Sequence, residues 1–91
     1  MKVCIETSRL LVYKVGWLRH QQKQAFLESS IAKLYVSECW IKNSLSAVRI
    51  HGGYGYTTEF EFERMLRDSI GGILYSGTSE IQRNIIAELL D

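Results

Sequence analysis

The sequence predicts an all-α protein, and three observations support this fold class. None of the 91 residues is proline, so no position forces a break in a helix. No segment shows the strict apolar alternation, bounded by turn residues, that indicates a β-strand. Apolar residues instead recur at helical spacing along most of the chain. We therefore expect one up-and-down helical-bundle domain over residues 1–91.

The first helix is predicted to end near His20. Its apolar residues lie at helical spacing on one face, namely Cys4, Leu11, Val15 and Leu18. The next four residues, Gln21-Gln22-Lys23-Gln24, are all polar and predict a turn.

A second, longer helix is predicted from about Ala25 to Ile50. Two apolar lines run along it: Leu27, Ile31, Leu34, Ile41, Leu45 and Val48 form one, and Val36, Trp40, Ala47 and Ile50 form the other. Apolarity on two faces indicates burial between neighbours. At 1.5 Å per residue this helix would be roughly 39 Å long, more than one small domain covers. We therefore expect a homo-oligomer or a companion subunit.

Two shorter helices are predicted to follow. Thr58 precedes Glu61 by three residues, which fits a capping box that opens a helix over 60–70, with Gly71-Gly72 ending it. Ser79 and Gln82 repeat the same spacing at the start of the last helix. The apolar residues of that helix form two faces, Ile81, Ile85 and Leu89 on one and Ile86 and Leu90 on the other.

Composition excludes several classes of protein. The net charge of +1 leaves no basic stripe for nucleic acid. Cys4 and Cys39 lie too far apart in sequence for a zinc or redox motif, and His20 and His51 lack partners at metal-ligand spacing, so we expect no metal site. The start of the chain lacks the apolar run of a signal peptide, and no stretch is long enough to span a membrane. We expect a soluble, cytoplasmic chain.

Two motifs carry the functional information. The segment Ile50-His51-Gly52-Gly53-Tyr54-Gly55-Tyr56 places three glycines within four positions. Because glycine lacks a Cβ, such a segment turns sharply and admits close approach of another molecule. Alone, it more often marks a helix that stops at a C-cap glycine. About twenty residues later comes Tyr75-Ser76-Gly77-Thr78-Ser79-Glu80-Ile81-Gln82-Arg83, which favours a ligand-binding loop.

Together with Glu63-Arg64-Met65-Leu66-Arg67-Asp68, the two motifs resemble the C-terminal helical domain of the acyl-CoA dehydrogenases. These flavoenzymes oxidise acyl-CoA thioesters to 2-enoyl-CoA. The resemblance covers residues 50–90 by motif and residues 1–49 by length and helical character. It implies that the first helix of that domain, and the family's N-terminal helical and middle β domains, have no counterpart here.

The resemblance implies FAD as the cofactor. Gly52 and Gly53 would approach the pyrophosphate of a flavin held mainly by a neighbouring subunit, since backbone amides of a glycine turn can converge on an anion. Arg49 replaces the family's usual glutamine and either pairs with a phosphate or is a solvated arginine at a helix end. Thr78 and Glu80 would contact the adenosine end, although Glu80 equally suits a helix's first turn.

The resemblance also implies a substrate site formed by Tyr75, Ser76 and Gly77. Tyr75 either lines the acyl pocket or packs as an ordinary core aromatic. Ser76 occupies the position of the usual catalytic glutamate, and a hydroxyl without an adjacent base cannot replace a carboxylate. The Ser76 amide can still polarise the thioester carbonyl. The base therefore lies on a segment not present here, comes from another subunit, or has been lost with the chemistry.

The resulting hypothesis is the C-terminal part of a flavin-dependent acyl-CoA dehydrogenase that is inactive as an isolated chain. The resemblance implies acyl-CoA as substrate and an electron-transfer flavoprotein or similar acceptor as partner. The alternative is a non-catalytic helical assembly module, or a companion subunit of a heteromeric acyl-CoA dehydrogenase.

Overall fold

A computed structural model describes residues 1–90 and confirms the all-α prediction, with no strand in that range. The helices are α1 (Lys2–His20), α2 (Phe26–His51), α3 (Gly53–Tyr56), α4 (Phe62–Gly71) and α5 (Ser79–Leu90). The predicted ends of the first two helices are confirmed to within one or two residues. The single-turn helix α3 was not predicted, because a glycine-rich segment carries no periodic signal.

Helices α1 and α2 form a hairpin closed by the polar turn at residues 21–25. The turn is held by backbone bonds from Gln21 N–H to the Trp17 carbonyl and from Lys23 N–H to the Leu18 carbonyl, each 3.0 Å long. The predicted apolar line of α1 is confirmed, since its four members are the half-buried Cys4, Leu11, Val15 and Leu18. The rest of the α1 surface is largely exposed, including Trp17 and Tyr13.

Helix α2 is the central element and packs against each of the other four. Within this chain, most members of its two predicted apolar lines are only half-buried, and Trp40, Leu45 and Ile50 are exposed. The buried positions of α2, with the Ala25 that precedes it, form two lines of small residues spaced seven residues apart. One line is Ala25, Ala32 and Cys39, and the other is Ser30, Ser37 and Ser44. Small side chains let neighbouring helices approach closely, so larger residues lie along the edges of the contact.

The molecule is elongated, with principal extents of 47 × 23 × 17 Å. Its radius of gyration of 15.4 Å exceeds the ~12 Å expected for a compact domain of this length. Many large apolar side chains remain exposed, such as Val3, Leu10, Ile50 and Leu90. No helix within residues 1–90 combines the length and apolar composition needed to cross a bilayer.

The predicted capping box at Thr58 and Glu61 is wrong. Helix α4 begins at Phe62, two residues later than predicted, and no side chain caps its N-terminus. The first residue of α4 contacts the end of α2, since the His51 ring stacks on Phe62 at a centroid distance of 3.8 Å. The predicted end at Gly71-Gly72 is confirmed. Gly72 is helical rather than left-handed, and a Cβ there would meet the Trp40 ring at 3.0 Å.

The capping box predicted at Ser79 and Gln82 is also wrong. Thr78 caps α5, because its hydroxyl accepts a hydrogen bond from Ile81 N–H at 3.2 Å. Ser79 is instead 2% exposed, and its hydroxyl has no hydrogen-bond partner within residues 1–90. The buried residues of α5 are Ser79 and Gln82, whereas Ile81, Leu89 and Leu90 of the two predicted apolar faces are exposed.

Replacing Thr78 by alanine is expected to lower the free energy of unfolding by about 1 kcal/mol, because one N–H at the start of α5 loses its cap. Thr58→Ala is the matched control, since Thr58 is exposed and caps no helix. Urea denaturation of the two variants measures the difference. Equal stability of the two would contradict the assignment of the cap to Thr78.

Candidate functional site

The first motif is a sharp turn after α2. Gly52 has φ +59° and ψ −133°, a conformation that L side chains rarely adopt, so the chain requires glycine at this position. Gly53 begins α3 with an ordinary φ, and no heavy atom lies within 4 Å of the position that a Cβ would occupy at either glycine. The turn therefore presents open backbone that another molecule can approach.

Gly55 is the tightest point of this turn, and the sequence did not single it out. It is buried, and its N–H donates to the Gly52 carbonyl at 2.9 Å. A Cβ at Gly55 would collide with the Val48 carbonyl oxygen. Thus Gly52 makes the bend, and Gly55 lets the turn pack closely onto α2. Gly53 leaves the backbone accessible.

Arg49 lies in the last turn of α2, three residues before Gly52. It lines a shallow surface depression of about 440 Å³ together with Ser46 and Ile50. Its side chain is exposed, and no carboxylate within residues 1–90 forms a salt bridge with it. Arg49 is thus free to meet an anion at the same surface as Gly52 and Gly53.

The second motif forms the loop between α4 and α5. Ser76 and Gly77 both have positive φ, +55° and +88°, which is uncommon for serine. Among residues 1–90, the backbone N–H groups of Ser76, Gly77 and Thr78 donate to no acceptor. The loop therefore offers three successive free donors.

Lys33 of α2 holds this loop in place. Its Nζ donates to the Gly72 carbonyl at 2.8 Å and to the Gly77 carbonyl at 2.7 Å. The two carbonyls flank the loop, so one cationic side chain fixes both of its ends. Sequence reasoning missed Lys33, because a lysine on a helix ordinarily indicates a solvated position.

Gln82 supports the same loop from α5. It is 7% exposed, and its amide donates to the Ser76 carbonyl at 3.3 Å. A Cβ at Gly77 would lie 2.7 Å from the Gln82 amide nitrogen and would displace that side chain, and the φ of +88° itself favours glycine. The sequence placed Gln82 in a capping box, whereas its partner is the loop.

An apolar groove of about 330 Å³ opens beside the loop. Side chains from α1, α2 and the loop line it, among them Val12, Val36, Trp40, Tyr75 and Ser76. Tyr75 is 56% exposed and so is not an ordinary core aromatic in this chain. The groove and the free amides together suit a ligand with an apolar chain and a carbonyl group.

Thr78 and Glu80 lie at the start of α5. The Thr78 hydroxyl accepts a hydrogen bond as the helix cap, and its own proton remains available to an acceptor. The Glu80 carboxylate is exposed and lies 3.9 Å from the Arg83 guanidinium, consistent with a first-turn acid on the helix surface.

The structure does not bring the two motifs together. Lys33, which holds the second loop, and Gly52, which makes the first turn, lie nineteen residues apart along α2, or roughly 28 Å. A single small ligand cannot contact both within this chain. Within residues 1–90 no three His, Cys, Asp or Glu side chains cluster as a metal site would require.

Comparison with known proteins gives consistent results. The protein-family profile described as "Acyl-CoA dehydrogenase, C-terminal domain" matches residues 1–90, which extends the resemblance to α1 and α2. The caffeyl-CoA reductase-Etf complex subunit CarC of Acetobacterium woodii is 42% identical over 90 residues, 99% of this chain and 24% of that protein.

Solved structures agree on the fold. The prolyl acyl carrier protein oxidase AnaB superimposes with a TM-score of 0.96 and 50% identity, over 99% of this chain and 24% of that one. A structure described as the FAD complex of PigA superimposes with a TM-score of 0.95 and 33% identity, over 99% of this chain and 24% of that one. The chain thus spans about a quarter of the length of the proteins it matches.

Proposed function

Because the chain belongs to the acyl-CoA dehydrogenase family, whose C-terminal domain matches residues 1–90, we propose that it is the C-terminal part of a flavin-dependent dehydrogenase that oxidises an acyl-CoA thioester to 2-enoyl-CoA. The observation that carries the proposal is the loop of free amides at Ser76–Thr78, beside an apolar groove. Since the chain spans about a quarter of its relatives, the activity belongs to the complete assembly, and the isolated chain is inactive.

The loop binds and polarises the thioester in this proposal. The Ser76 N–H donates to the thioester carbonyl, which stabilises the negative charge that develops there when the α-proton leaves. The acyl chain lies against Tyr75 and Trp40 in the groove. Lys33 and Gln82 hold the loop before substrate arrives, so that no ordering of the donors is needed during the reaction.

The residues at the glycine turn fit the pyrophosphate of FAD. Gly52 and Gly53 leave room for an anion to reach the backbone, and Arg49 supplies an unpaired positive charge beside it. Thr78 and Glu80 would contact the adenosine end. The roughly 28 Å between the two motifs favours contact with two different flavins, the glycine turn reaching one held by a neighbouring subunit. When bound, FAD accepts the hydride that the acyl group loses.

The catalytic base is not assigned to this chain. The Ser76 hydroxyl forms no hydrogen bond to a general base within residues 1–90, so it cannot replace a carboxylate. The base comes from another segment of the complete protein or from another subunit; its loss is the third possibility, which the following experiment tests. An electron-transfer flavoprotein is the proposed acceptor, because the relative CarC belongs to an Etf complex.

Flavin absorbance tests this function. The chain is purified with the proteins encoded beside it, and short- and long-chain acyl-CoA are added without oxygen. Retained FAD whose visible absorbance bleaches on adding acyl-CoA is the expected result. A preparation that neither retains nor bleaches FAD refutes the enzymatic function and favours a non-catalytic assembly module. Such a module would agree with a serine, Ser76, at the position of the usual catalytic glutamate and with the exposed apolar surface.

A second candidate substrate is a prolyl group carried as a thioester on a carrier protein. The similarity to AnaB at 50% identity is the observation that favours it. The same thioester carbonyl would bind the Ser76 N–H, so the site chemistry is unchanged. Bleaching by a prolyl-loaded carrier protein, and not by any acyl-CoA, would select this candidate over the first.

A further inference from the structure

The two cysteines of the chain come from neighbouring helices and line one groove between α1 and α2. Cys4 is in the first turn of α1 and Cys39 is in the middle of α2, and both are free thiols. Burial and, after it, the neighbouring Cys4 thiol raise the pKa of the Cys39 thiol. Cys39 is 7% exposed, whereas Cys4 is half-buried.

The packing of the hairpin keeps these thiols together. Cys39 continues the line of small buried residues begun by Ala25 and Ala32, where the helices can approach closely. The short turn at residues 21–25 fixes the register of α1 against α2. Thirty-four residues separate the two cysteines in sequence, and the hairpin fold brings them together.

Small solutes can reach the pair. An open groove of about 470 Å³ is lined by both cysteines together with Tyr35, Glu38 and Lys42. Cys4 is the more accessible of the two thiols. Cys39 is the less exposed thiol, and burial raises its pKa, so it reacts second.

We propose that Cys4 and Cys39 are a peroxide-sensitive dithiol that closes to an intrachain disulfide and locks α1 to α2. The Cys4 thiolate attacks a peroxide oxygen, the O–O bond breaks, and Cys4 becomes a sulfenic acid as water is released. The Cys39 sulfur then attacks the sulfur of Cys4, and the hydroxyl leaves with the Cys39 proton as a second water. Two thiols are oxidised and one hydrogen peroxide is reduced to two waters.

Mass spectrometry of the full chain after titration with hydrogen peroxide tests the proposal. We expect the chain to lose the mass of two hydrogens, both thiols to resist N-ethylmaleimide, and a peptide linking Cys4 to Cys39 to appear after digestion without reductant. Dithiothreitol should restore two reactive thiols. Any of three results would overturn the proposal. After peroxide treatment both thiols could still react fully with N-ethylmaleimide, the disulfide could link two chains, or Cys4 could gain oxygen without forming a disulfide.

Single substitutions separate the steps. Cys39→Ala keeps a small buried residue, as at Ala25 and Ala32, and should leave a Cys4 sulfenic acid that a dimedone probe captures. Cys4→Ser should capture no probe, because the buried thiol does not react first. Circular dichroism confirms that each variant keeps its helix content. Equal probe capture by the two variants would contradict the assigned order.

Discussion

Replacing Lys33 by methionine is expected to lower the free energy of unfolding by about 3 kcal/mol and to release the loop between α4 and α5. Lysine donates two hydrogen bonds of 2.7–2.8 Å to the carbonyls of Gly72 and Gly77. Methionine fills a similar volume but donates none, so both carbonyls lose a charged partner, and Gly72 is buried. Net values of ~1.5–3 kcal/mol for each bond to a charged group set this magnitude.

Urea denaturation and amide hydrogen exchange measure the two parts of this effect. Exchange should accelerate most at Ile73, Leu74, Tyr75 and Ser79, whose N–H groups are hydrogen-bonded in the folded loop, because the loop opens locally before the helices unfold. Lys42→Met is the matched control: Lys42 is exposed on the same helix and hydrogen-bonds to no group within residues 1–90. Equal stability and exchange in the two variants would show that Lys33 does not hold the loop.

The Lys33→Met substitution should also affect substrate binding, because the loop that Lys33 holds carries the free N–H donors. If the Ser76 N–H binds the thioester in the complete enzyme, Lys33→Met should weaken substrate-dependent bleaching while the FAD content stays unchanged. A parallel loss of FAD would instead indicate general unfolding of the domain.

Replacing Gly55 by alanine is expected to cost about 2–3 kcal/mol of stability. The added Cβ would meet only backbone atoms of Val48, with its carbonyl carbon and Cα both at 3.0 Å and its oxygen closer still. A side chain could rotate away from such a clash, but the backbone in the last turns of α2 cannot. The turn must therefore separate from α2, as in other overpacked sites.

Two other glycines serve as controls for this substitution. Gly53→Ala should change stability little, because Gly53 has an ordinary φ and open space around it. Gly16→Ala should raise stability by roughly 0.5–1 kcal/mol, because Gly16 lies within α1 with nothing near its Cβ position. Thermal unfolding should therefore rank the variants with Gly16→Ala highest and Gly55→Ala lowest. A Gly55→Ala variant as stable as Gly53→Ala, or more stable, would contradict the close packing of the turn on α2.

Sequence patterns determined the fold class, the helix order and most helix boundaries. The absence of proline and the apolar periodicity are local properties, and helix formation depends mainly on local backbone geometry. The same holds for the half-buried line of Cys4, Leu11, Val15 and Leu18 on α1, which has one neighbour to face. The order and spacing of three motifs were sufficient to identify the family.

The motifs named candidate site residues but not the side chains that support them. Gly52, Tyr75 and Ser76 were named in this way; Gly52 and Ser76 have positive φ, and Tyr75 is exposed. Lys33 belongs to no motif, since it lies 39 and 44 residues from the two carbonyls that it binds. A long-range hydrogen bond leaves no trace in local spacing.

Only the tertiary structure decided which residues are buried and which polar groups are paired. On α2 the core positions are alanine, serine and cysteine, because burial depends on how closely neighbouring helices approach and not on apolarity alone. Thr78 rather than Ser79 caps α5, and Ser79 is buried, which local spacing does not reveal. Periodicity identifies the face of a helix, but the neighbour that covers this face is a property of the whole fold.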